Sequence, residues 1–409
     1  MRRTLRLVLT LLAFAAPLAA QVVNGSVVLA DGTTRVPGAI VVATTASGVT
    51  VGRALTTGRG AFVIALAGPA TVSLTVLRIG YRPSTGPTVE VGAGATVSTR
   101  VVFAARAITL TSVDIRERET CRVQGDSSLA VAQVWEEARK AMLTTQLSNE
   151  GAVLTADWIE YDRTLDTTSR LVQQQRVRSA QHPTTHAFRS QPADVLASAG
   201  YVVADSGGTT YYAPDADALL SEAFVNSHCF RLAASPLDGA DRLIGVAFAP
   251  ARDHRDARDI EGTLWLDRAS AELRFLEYRY TNLPDVAAAA QAGGRVEFLR
   301  LAEGQWLVSR WFIRMPQLAM RDRSSEAGQR RLVRARTRQV LRAVRITGGE
   351  VLRATRRDSV LYQAVGATVT VHLVSPDPAR PRAPSSLCRR APRSRRRSGR
   401  ASRATRGVP

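Results

Sequence analysis

Between Val22 and Phe103 the chain alternates apolar and small polar residues in short runs, and each run is closed by a glycine-bearing turn. A period of two with frequent stops cannot be wound into helices and leaves a meander of short strands. The runs fall at Val22 to Leu29, Ala39 to Thr45, Ala61 to Ala65, Thr71 to Leu77 and Thr96 to Phe103. Turns are expected at Asp31-Gly32, Pro37-Gly38, Gly58-Arg59-Gly60 and Gly92-Ala93-Gly94, where glycine admits positive φ. About eighty residues of this kind suffice for one β-sandwich.

Four segments within this stretch carry a family likeness: Val23-Asn24-Gly25-Ser26-Val27-Val28, Pro37-Gly38-Ala39-Ile40-Val41-Val42, Thr56-Thr57-Gly58-Arg59-Gly60-Ala61-Phe62 and Arg78-Ile79-Gly80-Tyr81. In this order they resemble the successive signatures of carboxypeptidase regulatory-like domains, over about a fifth of the chain. The resemblance implies a prealbumin-like, carbohydrate-binding-like sandwich that binds or spaces and does not catalyse. The chain departs from the pattern where Thr57 and Gly58 replace the usual acidic turn residue, which removes a turn hydrogen bond without altering strand register. Gly60 and Phe62 read as a tight turn before an inward ring, and Gly80-Tyr81 as a kink that lays a ring over the sandwich end.

Downstream, Ser127-Ser128 can cap a helix to about Thr144 with Val131, Val134, Trp135, Ala138, Ala141 and Met142 on one face, and Glu136 and Lys140 spaced as an i,i+4 pair. Strands return at Ala152 to Tyr161 and Arg170 to Arg178, then a hairpin at Tyr201 to Ala213, with short helices after Pro192 and Asp215. An antiparallel meander follows: Arg242 to Phe248, Ile260 to Asp267, Ala271 to Thr281, Gly294 to Leu301 and Gln305 to Met315. Its segments Gly262 to Asp267, Glu272 to Arg274, Gly294 to Phe298 and Trp306 to Val308 resemble LolA-like half-barrels, which carry apolar lipid-linked cargo. In that reading Trp265, Phe275, Tyr278, Trp306 and Trp311 line an apolar groove; in the alternative they fill a core.

The expected fold is therefore mainly β, with an N-terminal prealbumin-like sandwich, a short helical connector and a C-terminal antiparallel meander domain carrying a few helices. Its segments are a leader at 1–20, the sandwich at 21–105, linker and helix at 106–148, a β-rich domain at 149–350, terminal strands at 351–374, and an Arg/Pro/Ser-rich tail at 375–409. The leader reading rests on Arg2 and Arg3, the apolar Leu5 to Ala16, and the small residues Pro17-Leu18-Ala19-Ala20. The tail has eleven arginines and one aspartate and no periodic apolar residues, the composition of a disordered segment.

The net charge of +20 invites a nucleic-acid reading. With the tail and the leader's arginines set aside the body is only mildly basic, and its arginines alternate with apolar residues instead of clustering with stacking aromatics, which argues against nucleic acid. Three cysteines are present, and in an oxidising compartment Cys121 and Cys229 are the sensible pair, two buried free thiols being the alternative. No cofactor or metal is expected: no His has Glu three residues on, and HExxH, G-x-S-x-G and the phosphate-cradling G-x-x-x-x-G-K are missing. His182 with His186, and Asp253, His254, Asp256 and Asp259, read as solvated loops.

These features lead to an exported, periplasmic or outer-membrane-associated protein, non-catalytic, that binds or scaffolds. Its expected partner is an envelope glycan, a lipid or a protein. The alternatives are a lipid or lipoprotein carrier using the apolar groove, and an enzyme of a type without a recognised motif.

Overall fold

The computed structural model describes residues 21–110, 121, 129–150, 154–182, 187–205, 208–234, 242–254, 256–321, 338–357 and 359–365. The leader at 1–20, the tail at 375–409, and His186 lie outside them. The described residues are mainly β with five α-helices, and a mainly β fold with a few helices is what the sequence pattern implied.

Seven strands come first: β1 (Gln21–Leu29), β2 (Ile40–Thr45), β3 (Thr50–Leu55), β4 (Ala61–Leu66), β5 (Ala70–Leu77), β6 (Ser84–Val91) and β7 (Thr96–Phe103). They form a three-stranded sheet in the order β4-β1-β7 and a four-stranded sheet in the order β3-β2-β5-β6. Among the described strands the one parallel pairing is β1 with β7. Alternate residues of both sheets meet in a shared core, with Val23, Val27, Phe62, Ile64, Val101 and Phe103 facing Val41, Val72, Leu74, Val76 and Val89. Strand alternation buries one side of each sheet in this core, and on the outer side of the four-stranded sheet Ile40 and Leu77 are buried against Leu143. Tyr81 lies edge-on to Phe103 at 5.5 Å, closing one end of this core.

Helix α1 (Leu129–Glu150) follows, then β8 (Thr155–Leu165), β9 (Val172–His182), α2 (Ala193–Ala199), β10 (Val202–Asp205), β11 (Gly208–Tyr211), α3 (Ala216–Leu220), α4 (Glu222–Ser227), β12 (His228–Ala234) and β13 (Leu243–Pro250). The remaining elements are β14 (Ile260–Asp267), β15 (Leu273–Tyr280), α5 (Asp285–Ala289), β16 (Gly293–Arg300), β17 (Trp306–Arg321), β18 (Arg338–Arg356) and β19 (Ser359–Gln363). One ten-stranded antiparallel sheet runs β12-β13-β14-β15-β16-β17-β18-β8-β9, and β19 takes over beside β18 where β17 has diverged. The continuous β18 passes through Glu350 and Val351, so no break separates a β-rich segment from terminal strands there.

One face of this sheet packs beneath α1, α3 and α4, with Leu264, Leu266, Leu276, Val296, Trp306 and Trp158 meeting Val131, Val134, Ala138, Met142, Leu219 and Phe224. The helix runs six residues beyond the expected Thr144. Its last turns hold Thr144, Thr145 and Ser148, whose hydroxyls donate to the carbonyls four residues back at 2.7, 2.9 and 2.7 Å, so polar side chains pass through a buried face without unmet hydrogen bonds.

The two β units meet through the loops that carry the N-terminal signatures. Gly38 and Gly304 touch backbone to backbone: a Cβ on Gly304 would stand 2.5 Å from Gly38 Cα, and both have positive φ, at +66° and +90°. Gly80, at φ +78°, approaches Ser270 O, and Arg268 Nη1 donates to Leu110 O at 3.0 Å. Gly304→Ala is expected to cost well over the ~1–2 kcal/mol of a left-handed alanine alone, because the methyl also forces the units apart. Gly32→Ala, at φ +69° in open space, carries only the backbone term and is the reference. Equal losses for the two variants in urea denaturation would show that the junction is not tight.

The strongest junction contact is ionic. Lys140 and Glu137 are both buried, their side chains 1 % and 2 % exposed, with Nζ donating to Glu137 Oε1 at 2.6 Å. Nζ also donates to Tyr81 O at 2.8 Å and Arg78 O at 3.4 Å, and Gly80 N donates to Glu137 Oε2 at 2.8 Å. The pair thus clamps the Arg78-Ile79-Gly80-Tyr81 loop to α1. This corrects the expected Glu136–Lys140 pairing: Glu136 instead binds Arg139 at 2.8 Å, because the loop draws Lys140 to the other side of the helix.

Candidate ligand-binding site

A cleft opens between α1, α3 and the helix-covered face of the large sheet. Its floor is Leu276, Val296, Phe298 and Val308, its walls are Met142, Phe188 and Leu219, and its rim carries Gln146, Asn149, Asp215 and Asp217. The open volume is about 570 Å³, including the solvent at its mouth.

Strand pairing builds the floor. Leu276 faces Val296, Val296 faces Trp311, and Trp311 faces Gly349, so one cross-strand row runs from β15 to β18 on a single face. Bulges at Glu297/Phe298 and Trp265/Leu266 keep the apolar set on that face while the strands bend. Asp215 fixes the rim: its Oδ1 accepts from Ala218 N at 2.9 Å, capping α3, and its Oδ2 accepts from Ser190 N at 2.8 Å. Both oxygens are therefore committed to positioning backbone.

The five aromatics expected along one groove do not share a surface. Trp265 and Phe275 lie on the opposite face of the sheet, ring centroids 6.2 Å apart, where Trp265 Nε1 donates to Glu277 Oε1 at 2.8 Å and the Arg295 guanidinium sits 3.7 Å from the Phe275 centroid. Tyr278 is buried against Tyr280 at 5.6 Å, and burial pushes its hydroxyl well above the usual tyrosine range. Trp306 is buried under α1, its backbone N–H donating to Ser148 Oγ at 3.0 Å. Only Trp311 adjoins the cleft, across the strand from Val296 and 5.0 Å from the Phe188 ring. Grouping by residue type mixed the two faces, which the odd and even positions of β14 and β15 separate.

Cys121 and Cys229 are joined by a disulfide that closes 108 residues of sequence onto strand β12. Next to it, Ser227 Oγ lies 3.0 Å from His228 Nδ1, and His228 Nε2 is 3.2 Å from Ile260 O and 3.5 Å from Asp259 Oδ1. These are the elements of a nucleophile relay, but all three residues are buried and the imidazole is stacked on Phe224 at 4.0 Å. Their bonds brace the α4–β12 corner. Among the described residues no group of three or more His, Cys, Asp or Glu is placed to hold a metal ion, and no helix is long and apolar enough to cross a membrane.

Protein-family models give no match to the chain, and curated proteins give none either.

Proposed function

We propose that this chain is an exported, non-catalytic binding protein of the bacterial envelope that holds a small apolar ligand in the cleft beneath α1. The observation that carries the reading is the floor itself: four apolar side chains from β15, β16 and β17, Leu276, Val296 and Val308 buried and Phe298 partly exposed, line a cleft in a face that is otherwise closed by helices. An apolar ligand seated against such a floor removes its own apolar surface from water. The rim carboxylate of Asp215 is used for capping, which supports binding over chemistry.

The N-terminal sheets act as a rigid handle in this account. Three of the segments that resemble the regulatory-like signatures, at Pro37-Gly38, Gly58 and Gly80-Tyr81, are spent on the junction with the large sheet. Recognition of an envelope glycan or of the outer membrane by this unit would use its remaining surface.

Native mass spectrometry of the mature protein from its own envelope fraction, followed by organic extraction, tests the proposal. A co-purifying or reloadable apolar molecule, lost when Val296→Arg fills the floor with charge, is the expected result. A protein that arrives empty, takes up no apolar probe, and shifts only with envelope glycans would replace the cleft reading with a glycan-binding one.

A further inference from the structure

Strands β17 and β18 outrun the sheet that holds them. β16 stops pairing with β17 at Arg314 and β8 stops pairing with β18 at Val344, so among the described residues 317–321 and 338–343 pair only with each other. The result is a two-stranded ribbon that extends roughly 17 Å past its neighbours, at about 3.3 Å per residue. Its base is seated: Tyr211 Oη donates to Pro316 O at 3.2 Å, and Leu341 packs against the cluster of Tyr161, Phe312 and Ile346. At the far end Met320 is 65 % exposed, and Arg321, Arg338, Gln339 and Arg342 are exposed with it. Arg321 and Arg338 stand opposite each other across the strands, a like-charge pairing that costs stability.

The charge of the chain converges on the same place. Residues 321–342 hold eight arginines, Asp322 and Glu326, a net charge of +6. With this stretch, the leader and the tail set aside, the rest of the chain balances to within one charge. The excess positive charge of the body is thus carried by the end of one ribbon and by 322–337, which joins its strands and lies outside the described residues. Residues 313–361 include no Phe, Tyr or Trp, so they offer no ring on which a nucleic-acid base could stack. Arginines around an exposed methionine match another partner: guanidinium forks pair with phosphate headgroups, and an apolar side chain gains by entering the acyl boundary. A second copy of the chain is disfavoured as occupant, because two such ends repel.

We infer that the free end of the β17–β18 ribbon docks on an anionic phospholipid bilayer, with Arg338 and Arg342 on headgroup phosphates and Met320 at the acyl boundary. The inference is independent of the cleft and of what the cleft holds.

Cosedimentation of the full chain with vesicles of phosphatidylcholine, alone or with one-third phosphatidylglycerol, tests it. Wild type is expected to bind the mixed vesicles, to ignore the neutral ones, and to be released by salt. Arg338→Gln/Arg342→Gln is expected to weaken binding about 25-fold, fivefold for each arginine lost from the surface. Arg53→Gln/Arg100→Gln removes the same charge from exposed positions on the N-terminal sheets and should cost less than about threefold. Met320→Ser is expected to cost roughly tenfold on vesicles, the factor of one apolar side chain returned to water, and to leave binding to a short DNA duplex unchanged. All these side chains are exposed, so the urea midpoint of each variant should match wild type. Equal losses from the two arginine pairs would make overall charge, the tail's included, the means of attachment and overturn the inference. So would wild type that ignores the mixed vesicles, or Met320→Ser that binds them undiminished. Ribbon variants that keep the vesicles and lose the duplex would replace the bilayer with nucleic acid.

Discussion

Lys140→Met is expected to destabilise the protein by about 3–5 kcal/mol, the cost of leaving a buried charge without its partner. The substitution keeps the stem's packing volume and removes only the ammonium, so Glu137 stays in the junction with the Gly80 N–H as its remaining contact. Glu137→Leu added to Lys140→Met should return much of the loss, because an apolar pair of similar volume carries no desolvation penalty. Burial, opposed by the Lys140 ammonium, already holds the Glu137 carboxyl above its ordinary 4.5. A carboxyl raised in the folded state favours folding below its unfolded value and loses that contribution as pH rises through the folded one. Without Lys140 the carboxyl rises further, so the gap between variant and wild type should narrow as pH falls toward and below 4.5. Urea denaturation across that range reads both effects. A gap of under about 1 kcal/mol at neutral pH would place the pair among weak surface-like bridges and remove it as the clamp of the junction.

Reduction of Cys121–Cys229 is expected to cost about 2–5 kcal/mol, since closing a loop of about 100 residues removes unfolded-state entropy worth up to ~4.7 kcal/mol in the chain-entropy account. The bond spans 108 residues and ties the segment ahead of α1 to the edge strand β12. Cys121→Ala/Cys229→Ala should unfold at lower denaturant than the oxidised protein and be indifferent to reductant. Coincident transitions for oxidised and reduced wild type would show that the crosslink carries no stability. A large effect would fit an oxidising compartment, where such bonds persist.

How far the fold could be read from the sequence depended on where each strand sits. β1, β2, β4, β5 and β7 alternate cleanly because each buries one face in the core between two sheets. Of the N-terminal seven, the strands absent from the sequence reading, β3 and β6, are the two edges of the four-stranded sheet. β6 holds Gly86 and Pro87, which read as breakers, yet an edge strand has a free side for a proline and Gly86 makes room for Val101. The end of α1 was hidden because Thr144, Thr145 and Ser148 look like cap or loop residues until their hydroxyls find carbonyls within the helix.

The cleft was partly visible. Met142 stood in the helix stripe and Phe298 in the meander, but their meeting depends on sheet order, which places β8 beside β18 across nearly two hundred residues. Parity alone would have separated Phe275 from Tyr278 within β15, whereas the pairing of Trp311 with Gly349 is a tertiary fact with no local signal. The choice of Glu137 over Glu136 is of the same kind: helix spacing offers Lys140 two carboxylates, and a loop from another unit selects between them.

Lys140 is the sole lysine of the chain. Folded, it gives an amine-directed reagent no side chain to attack, so acylating labels of that class would find only the α-amine of the chain in its native state. The same isolation makes one acylation event a reporter: the rate at which Lys140 becomes modified counts how often the two β units part company, without a probe having been introduced.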